Sequence, residues 1–131
     1  MKRYYRLIKL ARAMKPLHQQ LRAFHVAAIF KKNSLVSVGW NTLKTHPKTI
    51  ECYPYHQKAT HGEALAIIRG RLENYSGHDL YVIRVDNRGQ INYSKPCKFC
   101  ETFIEFMKFD NVFYSDDNGQ MKQFFKMDAN F

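Results

Sequence analysis

The sequence predicts an α/β fold in which helices cover a mixed β-sheet. Its apolar residues switch between helical spacing and short β-rich runs, which is typical of alternating helices and strands. The last two strand-like runs are separated by a short polar turn, so we expect an antiparallel hairpin at the C-terminus. With 131 residues and 45% hydrophobic side chains, the chain is able to bury a core without disulfide bonds. We therefore expect one domain over residues 1–131.

In the first half of the chain, the pattern predicts one helix and one pair of strands. Apolar residues recur at helical spacing over residues 4–14, and Pro16 is expected to end this helix. Two apolar runs, residues 25–30 and 35–40, flank a short polar loop and predict a strand, a turn and a second strand. Residues 41–60 contain two prolines and predict a long loop. Loops of this length in small domains are usually functional.

In the second half, the pattern predicts two helices and three strands. Each helix has apolar residues three or four positions apart, and Pro96 before the second one suits a helix start. Each strand is rich in β-branched or aromatic residues, and Asx- and Gly-containing turns end two of them. The predicted elements are helices at 61–72 and 97–107 and strands at 80–85, 112–114 and 121–127.

The positive charge of the chain is concentrated in its first fifty residues. The formal net charge is +10, from 21 Lys and Arg against 11 Asp and Glu, and the first acidic residue is Glu51. Such a field attracts the phosphates of a nucleotide or a polynucleotide. The alternative is a solvated basic face that only keeps the protein soluble. A basic N-terminus without acids also occurs in mitochondrial transit peptides, although those are usually rich in serine.

Two short segments carry the candidate chemistry. His61 and Glu63 lie at the start of one predicted helix, and Cys97 and Cys100 lie at the start of the other. A C-x-x-C in a chain with three cysteines predicts a metal or redox site in a reducing compartment, which favours a cytoplasmic location. Two thiolates and one imidazole make a Cys₂His zinc set whose fourth position stays open for water. A purely structural zinc is the alternative, but a neighbouring general base such as Glu63 argues against it.

The pattern H-x-E followed by P-C-x-x-C is the signature of zinc-dependent nucleobase deaminases. It is formed here by His61, Glu63, Pro96, Cys97 and Cys100. The chain resembles the cytidine and deoxycytidylate deaminase superfamily over most of its length. The resemblance implies a three-layer α-β-α fold with a five-stranded mixed sheet and an antiparallel C-terminal hairpin. It also implies Zn²⁺ as the cofactor, held by His61, Cys97 and Cys100.

The resemblance further implies a role for each remaining site residue. Zinc activates a water that attacks C4 of cytosine, and Glu63 carries protons to N3 and to the departing ammonia. Many relatives have Ala or Val where this chain has Gly62, so this helix start is expected to be more flexible. The implied substrate contacts are Asn41 with the sugar, the Gly62 N–H with the pyrimidine O2, the Lys95 carbonyl with the exocyclic amine, and Tyr114 as an aromatic wall.

The predicted function is zinc-dependent hydrolytic deamination of cytosine to uracil in a (deoxy)cytidine nucleotide, free or in single-stranded nucleic acid. Three alternatives stay open: adenosine deamination in RNA, a non-catalytic nucleic-acid-binding protein on a deaminase scaffold, and a delivered toxin that mutates foreign DNA. The expected partner is a nucleotide or single-stranded nucleic acid. No membrane is expected, because the apolar runs are short. A homo-oligomer is also left open, since free-nucleoside relatives often assemble through their helices.

Overall fold

The computed structural model describes residues 2–18, 24–41, 62–96 and 98–126. Within these ranges, three α-helices and one 3₁₀ segment accompany six β-strands. The helices are α1 (Lys2–Met14), α2 (Gly62–Gly70) and α3 (Lys98–Met107), and the 3₁₀ segment is Lys15–His18. The strands are β1 (Phe24–Lys31), β2 (Ser34–Trp40), β3 (Asp79–Val85), β4 (Ile91–Asn92), β5 (Asn111–Ser115) and β6 (Met121–Lys126).

The strands form one mixed sheet with the order β2-β1-β3-β5-β6. Strand β1 runs antiparallel to β2 and β3, β3 runs parallel to β5, and β5 and β6 form an antiparallel hairpin. The two-residue β4 pairs with the end of β3 and lies off this path. The predicted mixed sheet and antiparallel C-terminal hairpin are therefore confirmed, whereas the predicted number of strands was wrong, since the sheet has six strands and not five. The added strand β4 is too short to show a period-two pattern in the sequence.

The sheet separates two apolar layers, because successive residues of a strand point to opposite faces. Helix α1 covers one face, and α2 and α3 cover the other. On the α1 face, Tyr4, Leu7 and Ala11 pack with residues of β1 and β3 that include Val26 and Ile83. On the opposite face, helices α2 and α3 pack on the sheet. The helices contribute Ala64, Ile67, Cys100 and Ile104, and the sheet contributes Ala27, Ile29, Leu80, Val82 and Val112. The three-layer α-β-α arrangement is thus confirmed.

The observed element bounds differ from the predicted ones at a few positions. The helix predicted over 61–72 ends at Gly70, because Arg71 takes a left-handed backbone conformation with a φ of 59° and leaves Leu72 outside the helix. The predicted loop at 42–60 and residues 61, 97 and 127 lie outside the described residues. None of the helices within the described ranges combines the length and apolar character needed to cross a membrane.

Two tight turns, at the ends of β3 and β5, share one construction. In each turn an aspartate Oδ1 accepts hydrogen bonds from the backbone N–H groups two and four residues further on, at 2.8 to 3.0 Å. Each contains a glycine, Gly89 or Gly119, with a φ of 78°, a conformation that favours glycine. The aspartates are Asp86 and Asp116, and their hydrogen bonds hold both turns in a single conformation.

Helix α1 is attached to the sheet through Arg3. Its Nη1 donates a hydrogen bond to Asp79 Oδ2 at 2.7 Å, and its guanidinium lies 5.0 Å from the centre of the Tyr81 ring. The Arg3 and Asp79 side chains are 24% and 17% exposed, so solvent screens this pair only in part. The contact joins the first turn of α1 to the first residue of β3.

We expect Arg3→Met to lower the free energy of unfolding by about 1 kcal/mol, because it removes both the ion pair and the cation–π contact. Lys9→Met, on an exposed position of the same helix, is the matched control and should change stability by less than about 0.5 kcal/mol. Chemical denaturation of both variants measures the difference. Equal effects at the two positions would show that Arg3 does not anchor α1.

Candidate active site

Helix α2 lies directly on the backbone of β2. A Cβ atom added at Gly39 would stand 2.2 Å from the Ala66 nitrogen and 2.3 Å from the Gly62 carbonyl oxygen. The Ser37 hydroxyl donates a hydrogen bond to the Ala66 carbonyl at 2.6 Å. Because no side chain separates helix from strand, the first turn of α2 is held tightly against the end of β2.

Asn41 and Gly62 lie next to each other, because β2 ends beside the start of α2. The Asn41 N–H donates to the His25 carbonyl at 3.2 Å, and the His25 N–H donates to Asn41 Oδ1 at 2.9 Å. These two bonds orient the Asn41 carboxamide at the start of β1. A Cβ added at Gly62 would lie 3.1 Å from the same His25 carbonyl oxygen. At this distance the neighbouring backbone must shift by a few tenths of an ångström to admit a Cβ atom, so glycine fits position 62 without such a shift.

Glu63 and Cys100 are both buried in the layer between the sheet and the two helices α2 and α3. Glu63, in the first turn of α2, is 2% exposed, and Cys100 in α3 is 0% exposed. Cys100 belongs to the same core cluster as Ala64, the residue after Glu63. Burying a carboxylate is costly unless donors or cations surround it, so this position suits a functional group better than a packing one.

The other two predicted zinc ligands, His61 and Cys97, lie outside the described residues. Within the described ranges, no three metal-binding side chains form a group. The structure therefore brings the Glu63 helix and the Cys100 helix into one layer, and the complete ligand set stays a prediction.

The segment that leads to α3 crosses the middle of β3 and the end of β5. The Ser94 hydroxyl donates to the Val82 carbonyl at 2.8 Å and accepts from the Ser115 N–H at 2.8 Å. Lys95 is exposed and Pro96 is buried. The bonds of Ser94 hold the backbone around Lys95, whose carbonyl is a predicted substrate contact. Sequence reasoning did not single out Ser94 beyond its place before the motif.

Tyr114 forms an aromatic pair with Tyr93. The two ring centres are 5.7 Å apart with an interplanar angle of 78°, which is an edge-to-face contact. Tyr93 is 46% exposed, and its N–H donates to Asp117 Oδ1 at 3.2 Å. Sequence reasoning identified Tyr114 and missed Tyr93. The tyrosine one residue before the Ser-Lys-Pro-Cys segment was the available signal.

Arg84 is a second residue that the sequence pattern did not indicate. It lies on β3 in register with His25, on the same face as Leu80 and Val82, which α2 and α3 cover. Its Nε is buried and makes no hydrogen bond within the described structure. An unsatisfied buried guanidinium nitrogen is uncommon and calls for an acceptor. A single arginine in a β-rich run gives no sign of this in the sequence.

These residues meet at one end of the sheet, formed by the start of β1 and the ends of β2, β3 and β5, which we call the site edge. Phe24 pairs with Val85, and Val26 pairs with Trp40, so the start of β1 lies beside the ends of its two neighbours. Helix α2 begins at this edge, and the Ser94 segment leads from it into α3. Asn41, Gly62, Glu63, Arg84 and Tyr114 are therefore distributed along a single end of the molecule.

Comparisons with known proteins agree with this arrangement. Residues 1–116 match the family model of the cytidine and deoxycytidylate deaminase zinc-binding region. No curated protein shows significant similarity to the chain. Among solved structures, the cytidine deaminase from Mycobacterium leprae is 18% identical with a TM-score of 0.57, over 92% of each chain. The dCMP deaminase from cyanophage S-TIM5 in apo form is 16% identical with a TM-score of 0.56, over 88% of this chain and 84% of that chain.

The same phage enzyme in complex with dCMP and dUMP is 16% identical to this chain. Its TM-score is 0.53, and the match covers 84% of this chain and 78% of that chain. At these identities the structural likeness concerns the fold. The layers, the sheet order and the positions of α2 and α3, which come after the site edge in the chain, define an α/β protein of the cytidine-deaminase-like class.

The family model covers most of the sequence, so the chain belongs to the cytidine and deoxycytidylate deaminase family. The matched region is the zinc-binding region of that family, which supports the Zn²⁺ predicted from the sequence. The donor set fits this ion, because two thiolates and an imidazole are preferred zinc ligands and Cys100 is buried beside the helix that carries Glu63.

Proposed function

We propose that the protein is a zinc-dependent enzyme that hydrolyses cytosine to uracil and ammonia in a (deoxy)cytidine nucleotide, free or in single-stranded nucleic acid. The observation that carries this proposal is the buried Glu63 carboxylate in the first turn of α2, in the same core layer as Cys100. Family membership supports the chemistry. A core position that served packing alone would hold an apolar side chain rather than a carboxylate.

His61, Cys97 and Cys100 would hold the zinc, which when bound lowers the pKa of a coordinated water towards neutrality. Glu63 would accept a proton from the attacking water and deliver it to N3 of the base. It would then take the second proton from the hydroxyl added at C4 and pass it to the exocyclic amine, which leaves C4 as ammonia. One water is consumed, the C4–N bond breaks, and the C4–O bond of uracil forms.

The remaining site residues would bind and orient the substrate. The Gly62 N–H would donate to the pyrimidine O2, and the Lys95 carbonyl would accept from the exocyclic amine. Asn41 would contact the sugar, and its orientation by His25 supports that role. Tyr114, braced by Tyr93, would form an aromatic wall of the pocket. Holding the base in this way lowers the entropic cost of bringing it into the reactive orientation.

The proposal extends to the organisation and location of the protein. We propose that residues 1–131 form one domain, since both apolar layers share one sheet. A cytoplasmic location stays a prediction that rests on the C-x-x-C pattern.

The zinc-loaded protein should be incubated with cytidine, CMP, dCMP, single-stranded DNA and single-stranded RNA, with uracil and ammonia as the readouts. We expect uracil from at least one of these substrates, together with about one zinc per chain by metal analysis. If an adenosine-containing RNA gave inosine and no substrate gave uracil, the target base would be adenine and not cytosine. Absence of ammonia from every substrate by a zinc-loaded, folded protein would overturn the proposal.

Arg84 gives a prediction about the substrate. Because its buried Nε faces the site layer and makes no hydrogen bond within the described structure, we expect it to contact a phosphate oxygen of the substrate. Arg84→Met should raise KM for CMP or dCMP about tenfold, which corresponds to about 1.4 kcal/mol, with little change in KM for the unphosphorylated nucleoside. Lys122→Met, exposed on β6, is the control. Equal KM changes for nucleotide and nucleoside would contradict the phosphate contact.

A further inference from the structure

A basic cleft lies between the end of α1 and the turn that joins β3 to β4. It has a volume of about 520 Å³ and is separate from the residues of the candidate active site. Its walls are formed by Arg12, Lys15, Pro16, Asn87, Arg88 and Gly89. Three of these six residues are cationic, and none of the described residues that line the cleft is acidic.

The nearby carboxylate of Asp86 accepts hydrogen bonds from residues of its own turn. It accepts from the Arg88 N–H at 2.8 Å, from the Gln90 N–H at 3.0 Å and from the Asn92 amide at 3.2 Å. The hydrogen bond from the Gln90 backbone is the largest cause that holds the pKa of Asp86 below its usual value. Asp86 is therefore ionised and Arg88 also lowers its pKa, so three cations stand against one carboxylate and the region of the cleft keeps a net positive charge.

Two of the three cationic side chains, Arg12 and Lys15, are held in place. Arg12 Nε donates to the Gly89 carbonyl at 2.9 Å, which ties α1 to the turn and fixes the guanidinium at the cleft wall. Lys15, directly after α1, is only 8% exposed. Arg88 is exposed at the mouth, on the turn that Asp86 rigidifies. Because Arg12 and Lys15 are already ordered, they lose little entropy when they bind an anion.

The cleft lies at the same end of the sheet as the candidate active site. Its turn begins directly after Val85, the residue of β3 that pairs with the start of β1 at the site edge. Helix α1 covers the sheet face opposite to α2 and α3. One nucleotide in the active site does not extend around the sheet to the opposite face, whereas a nucleic-acid strand is long enough to do so.

We propose that this cleft binds a backbone phosphate of a single-stranded nucleic acid whose target cytosine occupies the candidate active site. The proposal rests on the proposed deaminase function and adds the class of substrate, a polynucleotide. Paired arginines suit phosphate, because guanidinium donors match its oxygens in charge and geometry. The concentration of basic residues before Glu51, which includes Arg12 and Lys15, serves this contact.

The first test measures binding of a fluorescent single-stranded oligonucleotide of DNA, and then of RNA, by anisotropy at several salt concentrations. Arg88→Glu is expected to weaken binding at least about fivefold and to reduce the slope of log K against log salt by roughly one. Lys31→Glu makes the same charge change at an exposed position at the opposite end of β1. This control should change affinity less than about twofold. Equal losses in the two variants would overturn the cleft as a specific site.

The second test measures turnover of an oligonucleotide and of CMP by the unmodified protein, Arg88→Glu and Lys31→Glu. Arg88→Glu should lower kcat/KM for the oligonucleotide at least about fivefold and leave kcat/KM for CMP unchanged. An equal loss on both substrates would mean that the cleft serves a free nucleotide, which contradicts the proposal. If no substrate is deaminated, the proposed function fails, and the binding measurements still decide separately whether the cleft holds a phosphate.

Discussion

Replacing Glu63 by glutamine is expected to lower kcat for deamination by about 10²- to 10⁴-fold while the protein stays folded and zinc-loaded. Glutamine preserves the size of the side chain and most of its hydrogen bonding, but it does not take a proton from water. The effect should be large because Glu63 is 2% exposed, so bulk solvent is a poor substitute for its proton transfers. The change should appear in kcat, because the base-binding contacts proposed for Gly62 and Lys95 do not involve the carboxylate.

The matched control for this prediction is Glu105→Gln, which makes the same chemical change at an exposed position of α3. Initial rates of uracil formation, zinc content and thermal unfolding should be measured for both variants. The control should keep the rate of the unmodified protein within about twofold. Activity of Glu63→Gln within tenfold of the unmodified protein would remove Glu63 as the proton carrier. Loss of zinc together with activity would instead give it a role in metal retention.

The second large effect is expected for Gly39→Ala, which should lower the free energy of unfolding by about 3 kcal/mol or more. The added methyl carbon would meet the Ala66 nitrogen at 2.2 Å and the Gly62 carbonyl oxygen at 2.3 Å. Both obstacles are backbone atoms of α2, so no side-chain rotation relieves the clash. The helix must move away from β2, which breaks the hydrogen bond between Ser37 and Ala66 and displaces Glu63.

Gly62→Ala is the comparison for this second prediction, because its added carbon stands no closer than 3.1 Å to a neighbouring atom. Small backbone adjustments should absorb that contact, so we expect a loss of about 1 kcal/mol or less. Chemical denaturation followed by circular dichroism measures both variants. A Gly39→Ala protein as stable as Gly62→Ala would show that α2 is not seated on β2 as described. Loss of activity in Gly39→Ala should follow its loss of stability.

Most of the secondary structure followed from local patterns. The apolar spacing of α1 and the strand pair before Asn41 depend on neighbouring residues, and the observed bounds agree closely with the predicted ones. The turns at Asp86 and Asp116 also follow from local chemistry, since aspartate and glycine at fixed spacing close the turn through their own hydrogen bonds. The end of α2 was wrong by two residues, because the left-handed conformation of Arg71 leaves no compositional signal.

The candidate site likewise contains residues that the sequence identified and residues that only the structure showed. His61, Glu63, Cys97 and Cys100 are identifiable from sequence, because zinc and proton transfer demand particular residue types at particular spacing. Arg84 and Tyr93 were missed, since a single arginine or tyrosine has many uses on a surface. Their importance depends on a buried nitrogen and on a ring that lies against Tyr114.

By itself, the amino-acid sequence determined the kinds of elements, the hairpin at the C-terminus, the basic first fifty residues and the residue types available for zinc chemistry. These properties depend on composition and on neighbours along the chain. Only the tertiary structure decided that Arg12 and Lys15 share a cleft with Arg88, and that Gly39 supports the helix of Glu63. The residues of each pair are between 24 and 76 positions apart. Contacts over such separations arise from how the helices pack on the sheet, and no local pattern records them.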